Sequence, residues 1–513
     1  MALTLKATGQ ADDPLMLTVG AVSPPAERNI LKGTPQQQAF WEELVTGDRN
    51  VLLEARAGTG KSTSCREGMW RILDKQPRAT IRYCCFNKKI ADEFQIGCPD
   101  GVEVGTMHRF GLAALYRAGQ VKVEANRSYL LMDAIGGYQT KSFRNNVSRL
   151  VSLAKNHAFR PDNPNILFGL EMLLDYYDVE TWGRADAVVD MAYEVLKRSA
   201  RDASVVDFDD MLWLPVLRGM TFPALDYLFI DECQDLNPVQ HELAALLCAH
   251  GRTIIVGDPY QSIYAFRGAD TESIPRLQRQ LDALVLPLTM SFRCPWTHVE
   301  LAKRLVPDFE AAENAIAGTV AHLGHEGINA ALPGDLILCR SNAPLVRECL
   351  NLIGQRKRAT MRGRGFSTQL GSLLRRLPPA NTITELRGNI ASWRRKELDK
   401  LADKDGVEDL MERVEDKAAC LEAIADSCES PAEVFDAIRL LFDDQSDTRN
   451  TIVLSTVHRA KGSEAKRVFL IDQPYGMNRR PNGIPQWEAD QRRNLRYVAL
   501  TRSLDSLFFL PAQ

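Results

Sequence analysis

Behind the apolar run Val51-Leu52-Leu53 comes Ala55-Arg56-Ala57-Gly58-Thr59-Gly60-Lys61-Ser62, small residues closing on a lysine and a hydroxyl. A buried strand that turns through such residues into a helix exposes backbone N–H groups that can curl around phosphates. They do so at the helix end whose dipole favours negative charge. Lys61 is then placed to reach the β- and γ-phosphates of a nucleotide, and Ser62 a Mg²⁺ ion. Much further along, Tyr227-Leu228-Phe229-Ile230 reads as a second buried strand and delivers Asp231-Glu232-Cys233-Gln234-Asp235. At such a strand end Asp231 can hold the ion, leaving Glu232 to orient or deprotonate a water. In this order, each half on its own strand, the two imply a nucleoside triphosphatase. Singly, each has a plainer reading. Ala55 stands where the phosphate-loop pattern opens on Gly, small-residue turns are common, and an acidic pair behind an apolar run is more often a solvated strand end.

The rest of the chain reads as α/β. Short apolar strands recur at 80–85, 227–230, 253–256, 336–339, 451–455, 468–471 and 507–510, the spacing of parallel sheets interleaved with helices. Two stretches, about 112–200 and 345–449, turn helical instead, with amphipathic runs such as Trp393-Arg394-Arg395-Lys396-Glu397-Leu398. The charge alternation from Leu401 to Lys417 is simplest as an exposed helix face, and Pro378-Pro379 and Pro481 punctuate loops. At 513 residues the chain has material for roughly three or four domains.

Composition narrows the partners and the compartment. With a formal net charge of −3 there is no global basic field to announce nucleic acid. A local groove remains open, and Arg356-Lys357-Arg358 with Arg362 and Arg364 is either such a groove or a solvated face. Eleven cysteines without framework spacing suit free thiols in a reducing compartment, with Cys84-Cys85 in a core strand. No CxxC pair or Cys/His cluster suggests zinc. The first 31 residues lack a basic stretch followed by an apolar one, and no run reaches membrane-spanning length. A soluble, intracellular protein is expected, with no membrane partner.

Behind the strand 253–256 comes Gly257-Asp258-Pro259-Tyr260-Gln261-Ser262-Ile263-Tyr264-Ala265-Phe266-Arg267-Gly268-Ala269. A glutamine there can sense a γ-phosphate, while Tyr264 and Phe266 offer flat faces on the same loop. A simple ATPase has no use for exposed aromatics, whereas a protein gripping unpaired bases gains about 1–3 kcal/mol per stacked base. The competing reading puts both rings in a core.

These ordered clusters resemble superfamily 1A DNA helicases of the UvrD/Rep/PcrA type, with the greater likeness to the branch holding the F-box DNA helicases and small phage or bacterial relatives. The likeness runs from about Gly33 to the C-terminus. In Thr34-Pro35-Gln36-Gln37 it implies that Gln37 reads adenine. Residues 55–62 would bind the phosphates, with Ser62 and Asp231 on Mg²⁺. Phe86-Asn87-Lys88 and Thr106-Met107-His108 match the segments that contact single-stranded DNA, with Phe86, Asn87, Thr106 and His108 as the contacts. Asp207-Phe208-Asp209-Asp210-Met211-Leu212 resembles the family's acidic-aromatic segment, whose acidic pair at 209–210 reads more plainly as helix N-terminal charge. Gln261 would couple the γ-phosphate to a DNA-facing loop with Tyr264 and Phe266. In Ser291-Phe292-Arg293, Phe292 would stack on adenine and Arg293 reach the γ-phosphate. In the segment 456–464, Thr456 and His458 would face DNA and Glu464 bind the ribose. Arg502, closing Tyr497-Val498-Ala499-Leu500-Thr501-Arg502, would be a second arginine finger, and Arg340 fits a further strand-end signature. Alone, His108 and His458 read as capping or satisfied polar residues.

The resemblance therefore implies two RecA-like domains with parallel sheets, each interrupted by a mainly helical insertion. The expected division is an N-terminal extension at 1–30, a first motor domain at 31–111 and 201–285 with an insertion at 112–200, and a second at 286–344 and 450–513. A reduced accessory subdomain would fill 345–449. It further implies ATP with Mg²⁺, single-stranded DNA and single-strand/duplex junctions as partners, 3′-to-5′ translocation, and association with replication or recombination proteins. The setting would be the cytoplasm of a bacterial or phage-infected cell, or a nucleus. A translocase that strips proteins without unwinding and a nucleotide-gated DNA clamp stay open as alternatives. The sequence departs from the family at Ser463 and Ala465 beside Glu464, at Phe266 in place of Trp and at Phe292 in place of Tyr. The aromatic at Phe86 also lies one position nearer Asn87. Only 11 residues follow Arg502, from which no appended nuclease is expected.

Overall fold

The computed structural model describes residues 31–137, 140–177, 179, 181, 183–263, 273–402, 408–442, 449–472 and 486–512. Helix α1 (Pro35–Thr46) opens on a capping box, Thr34 and Gln37 each taking the other's backbone N–H, with Pro35 in the first helical turn. Then come β1 (Val51–Ala55), α2 (Lys61–Lys75), β2 (Ile81–Cys85), α3 (Lys88–Gln95) and β3 (Glu103–Thr106). A helical excursion follows. It comprises α4 (Met107–Ala118), β4 (Lys122–Val123), α5 (Arg127–Ile135), α6 (Lys141–Asn156), α7 (Ile166–Tyr176), α8 (Ala185–Arg201), β5 (Val205–Val206) and α9 (Asp210–Leu217). The chain returns as β6 (Tyr227–Ile230), α10 (Pro238–Leu247), β7 (Arg252–Gly257), α11 (Ser273–Leu281) and β8 (Leu284–Leu288).

The first sheet has the order β3-β2-β6-β7-β1-β8 and is parallel throughout. Leu52 and Leu53 are fully buried, each on its own face, because helices cover both sides of a sheet wound this way. Burial of each such side chain contributes about 1.5–3 kcal/mol. The register Leu53 to Val256 and Leu53 to Leu286 sets three strand ends side by side. Within the excursion a buried ionic cluster ties α5 and α6 to the start of α9. Lys155 Nζ lies 2.7 Å from Asp207 and 2.8 Å from Asp210, and Arg127 also pairs with Asp210. Asp210 is the first residue of α9, so the acidic pair does sit at a helix start, but one member is spent on buried cations.

The second half begins with β9 (Met290–Ser291), α12 (Trp296–Lys303), β10 (Glu310–Ala311), β11 (Thr319–His322), β12 (Leu336–Cys339), α13 (Asn342–Gly354) and β13 (Ala359–Met361). Helices α14 (Arg364–Arg376), α15 (Ile383–Leu401), α16 (Glu408–Asp426) and α17 (Pro431–Leu441) follow, then β14 (Ile452–Thr456), β15 (Ala465–Asp472), α18 (Gln486–Leu500) and β16 (Ser503–Pro511). The order β11-β16-β15-β12-β14-β13 makes a second all-parallel sheet.

Two expected boundaries move. The first sheet takes β8 and so runs to Leu288 rather than 285, because Ala55 pairs with Leu288. The stretch from 345 is not wholly accessory: α13 packs on the second sheet, β13 forms its edge, and helices α14–α17 share one core with them. Lys357 of the basic cluster is bound to the carbonyls of Asn329 and Ala331, the latter at 3.1 Å, and is structural there. All eleven cysteines are free, nine of them buried. Among the described residues no helix is long and apolar enough to cross a membrane.

Candidate nucleotide site

Strand β1 ends at the buried Ala55, and the Arg56 N–H extends its bonding to the Leu288 carbonyl at 2.9 Å. The loop then needs left-handed backbone, supplied by Gly58 (φ 73°) and Gly60 (φ 80°). Space also demands glycine at 58: a Cβ would lie 2.4 Å from Arg293 Cβ and 2.7 Å from Ser291 Oγ. The second lobe is thus pressed on the phosphate loop, and the Phe292 N–H donates to the Gly58 carbonyl at 2.9 Å. Buried Thr59 braces the loop by donating its hydroxyl to the Arg56 carbonyl at 2.9 Å. Ser62 is exposed in the first turn of α2.

Lys61 Nζ lies 2.8 Å from Glu232 Oε1. Burial works against the Lys61 charge, but Glu232 and then Asp231 outweigh it and leave the ammonium harder to deprotonate than usual. Burial likewise opposes a charged Glu232, yet Lys61 and Lys461 hold it well below the usual carboxylate range. Asp231, buried beside Glu232, is pushed up by that burial and by its neighbour's charge. Glu232 sits in left-handed backbone (φ 54°), which turns its side chain out of β6 toward the loop.

Gln261, buried, donates its amide to Asp258 at 2.7 Å and faces the same strand ends. From the second lobe Lys461 enters between them, 2.5 Å from Asp235, 3.7 Å from Glu232 and 2.8 Å from the Gln261 carbonyl. Burial lifts the Asp235 carboxyl to about 6 despite Lys461.

The second lobe supplies the remaining groups. Arg293 pairs with Glu464 at 2.6 Å, so two residues with separate expected roles hold one another. The Phe292 ring is 55% exposed at the mouth. Arg502 is 1% exposed and bonds only to its own chain, Nε to the Val498 carbonyl at 2.9 Å and Nη2 to Thr501 Oγ1 at 3.1 Å. Among the described residues no carboxylate lies within ion-pairing distance of it. Burial, then Arg293, weakens its hold on its proton. Gln37 stands beside the loop with both amide atoms engaged, accepting from the Thr34 N–H and donating to Ser64 Oγ, each at 2.9 Å. Reading a base requires it to release one of these.

The expected DNA contacts divide. Phe86 is 51% exposed behind β2, next to Thr106 at the end of β3, since Cys85 pairs with Thr106. Asn87 and Thr106 cap α3 and α4 with their side-chain oxygens, and His108 lies in the first turn of α4, where burial lowers its pKa against the pull of Asp209. On the second lobe Thr456 ends β14, buried, and His458 follows in the turn. Tyr264 and Phe266 lie outside the described residues. Arg340 pairs with Glu412 of α16 at 2.7 Å.

Asp258, Asp308, Lys461 and Tyr497 were not singled out from sequence, and Arg56, expected among the phosphate-binding residues 55–62, turns its guanidinium to Asp308 at 2.7 Å and 3.0 Å. The Tyr497 hydroxyl accepts the Ala57 N–H at 2.8 Å and bonds Asp258 at 3.4 Å. Lys461, Tyr497 and Asp258 all stood inside the motifs, with a polar group amid apolar neighbours as the available signal. Asp308 carries no local signal.

Comparison with known proteins places the chain in a family. A model of the UvrD/REP helicase N-terminal domain matches residues 34–282, and one of the UvrD-like helicase C-terminal domain matches residues 380–513. The ATP-dependent DNA helicase Rep of Escherichia coli is 32% identical over 310 residues, 53% of this chain and 42% of Rep. F-box DNA helicase protein 1 of Schizosaccharomyces pombe is 24% identical over 94% of this chain and 58% of its own length. F-box DNA helicase 1 of Gallus gallus is 23% identical over 92% and 48%. The chain spans about half the length of these curated relatives.

Proposed function

The chain belongs to the UvrD-like helicase family, and from that premise we propose that it is an ATP-hydrolysing DNA helicase. It takes ATP with Mg²⁺ between its lobes, translocates 3′-to-5′ on single-stranded DNA and opens duplex at single-strand junctions, in replication, repair or recombination. We assign the first motor domain to 31–111 and 201–288, the second to 289–361 and 450–513, and the accessory layer to α14–α17.

The observation that carries this reading is Arg502. A buried guanidinium without a carboxylate partner among the described residues is expensive unless an anion completes it. With Arg293 beside it and the phosphate loop opposite, a triphosphate held by Lys61 is the anion that fits. Charge building on the γ-phosphate would then be met by cations from both lobes, so hydrolysis would demand a closed cleft.

The donor set suits Mg²⁺: one carboxylate, Asp231, and one hydroxyl, Ser62, leave room for phosphate oxygens and water. The ion would neutralise phosphate charge. When phosphate takes Lys61 from Glu232, that carboxylate regains basicity and can deprotonate or orient a water, while Gln261 reports the γ-phosphate to the loop beyond it. Alternating grip on DNA by Phe86, Asn87, Thr106 and His108 of one lobe and Thr456 and His458 of the other would turn closure into movement. Melting costs about 1.4 kcal/mol per base-pair step, within reach of one nucleotide cycle.

Unwinding of 3′-tailed, 5′-tailed and blunt duplexes tests the reading. Opening of the 3′-tailed substrate alone supports it, and opening of the 5′-tailed one alone reverses the polarity. DNA-stimulated hydrolysis without opening points to a translocase. Absence of stimulated hydrolysis points to a clamp.

A further inference from the structure

Four contacts join the phosphate loop and the segment behind β7 to the second lobe through protein groups alone. Arg56, 4% exposed, holds Asp308 bidentately at 2.7 Å and 3.0 Å. Tyr260 lies between two guanidiniums, Arg56 at 4.8 Å on the first lobe and Arg493 at 5.0 Å on α18. Asn494 of α18 donates to the carbonyls of Pro259 and Ser262 at 3.1 Å and 3.0 Å, and the Tyr497 hydroxyl takes the Ala57 N–H.

Each contact leads to one of the two arginines. Asp308 immediately precedes Phe309 and β10, which pairs with β9, and β9 runs straight into Phe292-Arg293. Phe309 is fully buried with its ring edge-on to Tyr497 at 5.5 Å, so the turn bearing Asp308 is itself fixed. Helix α18, gripped at Asn494 and Tyr497, ends two residues before Arg502. A bidentate carboxylate–guanidinium pair defines direction as well as distance, which a lysine at 56 could not do.

We infer that Arg56 is a positioning residue whose bridge to Asp308, packed on Tyr260, sets the arginines of the second lobe against the phosphate loop before nucleotide arrives. The inference rests on the motor reading and deepens it. A cleft already closed takes nothing from the binding energy of ATP. A cleft that must be closed by ATP shows an affinity reduced by the fraction of closed molecules.

Asp308→Ala is the direct test, because the carboxylate is partly exposed and lies outside the nucleotide-binding groups. Expected is a rise in KM for ATP of roughly three- to thirtyfold with kcat at saturating ATP and single-stranded DNA held within about twofold. Dyes placed one on each lobe should stand further apart without nucleotide and return to the wild-type distance with a non-hydrolysable ATP analogue. Asp308→Glu should recover most of the KM, and Asp308→Asn should behave as Asp308→Ala. Unchanged KM and unchanged dye separation in Asp308→Ala and Asp308→Asn overturn the inference. A lowered melting temperature with kcat and KM falling or rising together overturns it as well, by making the pair merely structural. If the wild type shows no DNA-stimulated hydrolysis, the motor reading fails while the dye separation still decides the latch.

Discussion

On the first lobe Lys61 meets Glu232 at 2.8 Å, and Asp258 lies 3.8 Å from Arg56. On the second lobe Arg293 meets Glu464 at 2.6 Å, but among the described residues Arg502 is buried against backbone and a hydroxyl. The difference separates binding from catalysis. The first lobe can hold phosphate by exchanging one ion pair for another, at little net electrostatic gain. In the proposed reading the second lobe keeps a cation in reserve, to be met by phosphate charge between the lobes.

Changes on the self-paired side should have the largest effect, because they remove the cradle and the base together with their partners' compensation. Lys61→Ala should abolish DNA-stimulated phosphate release, and Glu232→Gln should lower kcat by about 10²–10⁴-fold with ATP binding retained. Retained release in either variant, measured by phosphate-sensor fluorescence, would break the comparison at its first half. Arg502→Ala tests the other side, with an expected fall in kcat of about 10³-fold and KM little changed. A KM effect alone would make Arg502 a binding residue and erase the contrast.

Smaller effects sharpen the same division. Phe292→Ala should raise KM for ATP by roughly three- to tenfold at constant kcat, since its exposed ring can only stack on the base. Phe86→Ala should weaken single-stranded DNA binding by about 1–3 kcal/mol in an anisotropy titration and leave the nucleotide constants unmoved.

The pH dependence of the inter-lobe contact follows from Asp235, whose carboxyl is raised by burial to about 6. Its folded pKa exceeds the roughly 3.9 of an unfolded aspartate, so its contribution favours the native state at low pH and is lost as pH rises through 6. Asp235→Asn should flatten that part of the melting profile between pH 4 and 6. Protonation also removes the nearest of the charges that hold Lys461, so stimulated hydrolysis in the wild type should drop as pH falls through about 6. The Asn variant should lack that limb.

How much of this was legible in the sequence follows from what local pattern encodes. The central strands around Leu52, Phe229, Ile255 and Leu338 announced themselves because burial on both faces leaves near-continuous apolar runs. The edge strands β3, β11 and β13 and the proline-bearing β8 did not, being short or half-exposed. The phosphate loop and Asp231-Glu232 were readable because their chemistry needs particular residues at a strand end. The pairing of Arg293 with Glu464, and of Arg56 with Asp308, was not, because each joins distant parts of the chain through folding alone. Apart from Tyr264 and Phe266, the residues proposed to face DNA were legible only through the family resemblance. Asn87 and Thr106 do local work as helix caps that any sequence of their kind could do.

The central claim is that one nucleotide completes the charge of both lobes. Its most direct test compares ADP with ADP–aluminium fluoride, a mimic of the transferring phosphoryl group, for binding to the wild type and to Arg502→Ala in the presence of single-stranded DNA. The account predicts that the wild type binds the mimic far more tightly than ADP, and that Arg502→Ala binds ADP normally while losing most of that advantage. An undiminished preference for the mimic in Arg502→Ala would contradict it.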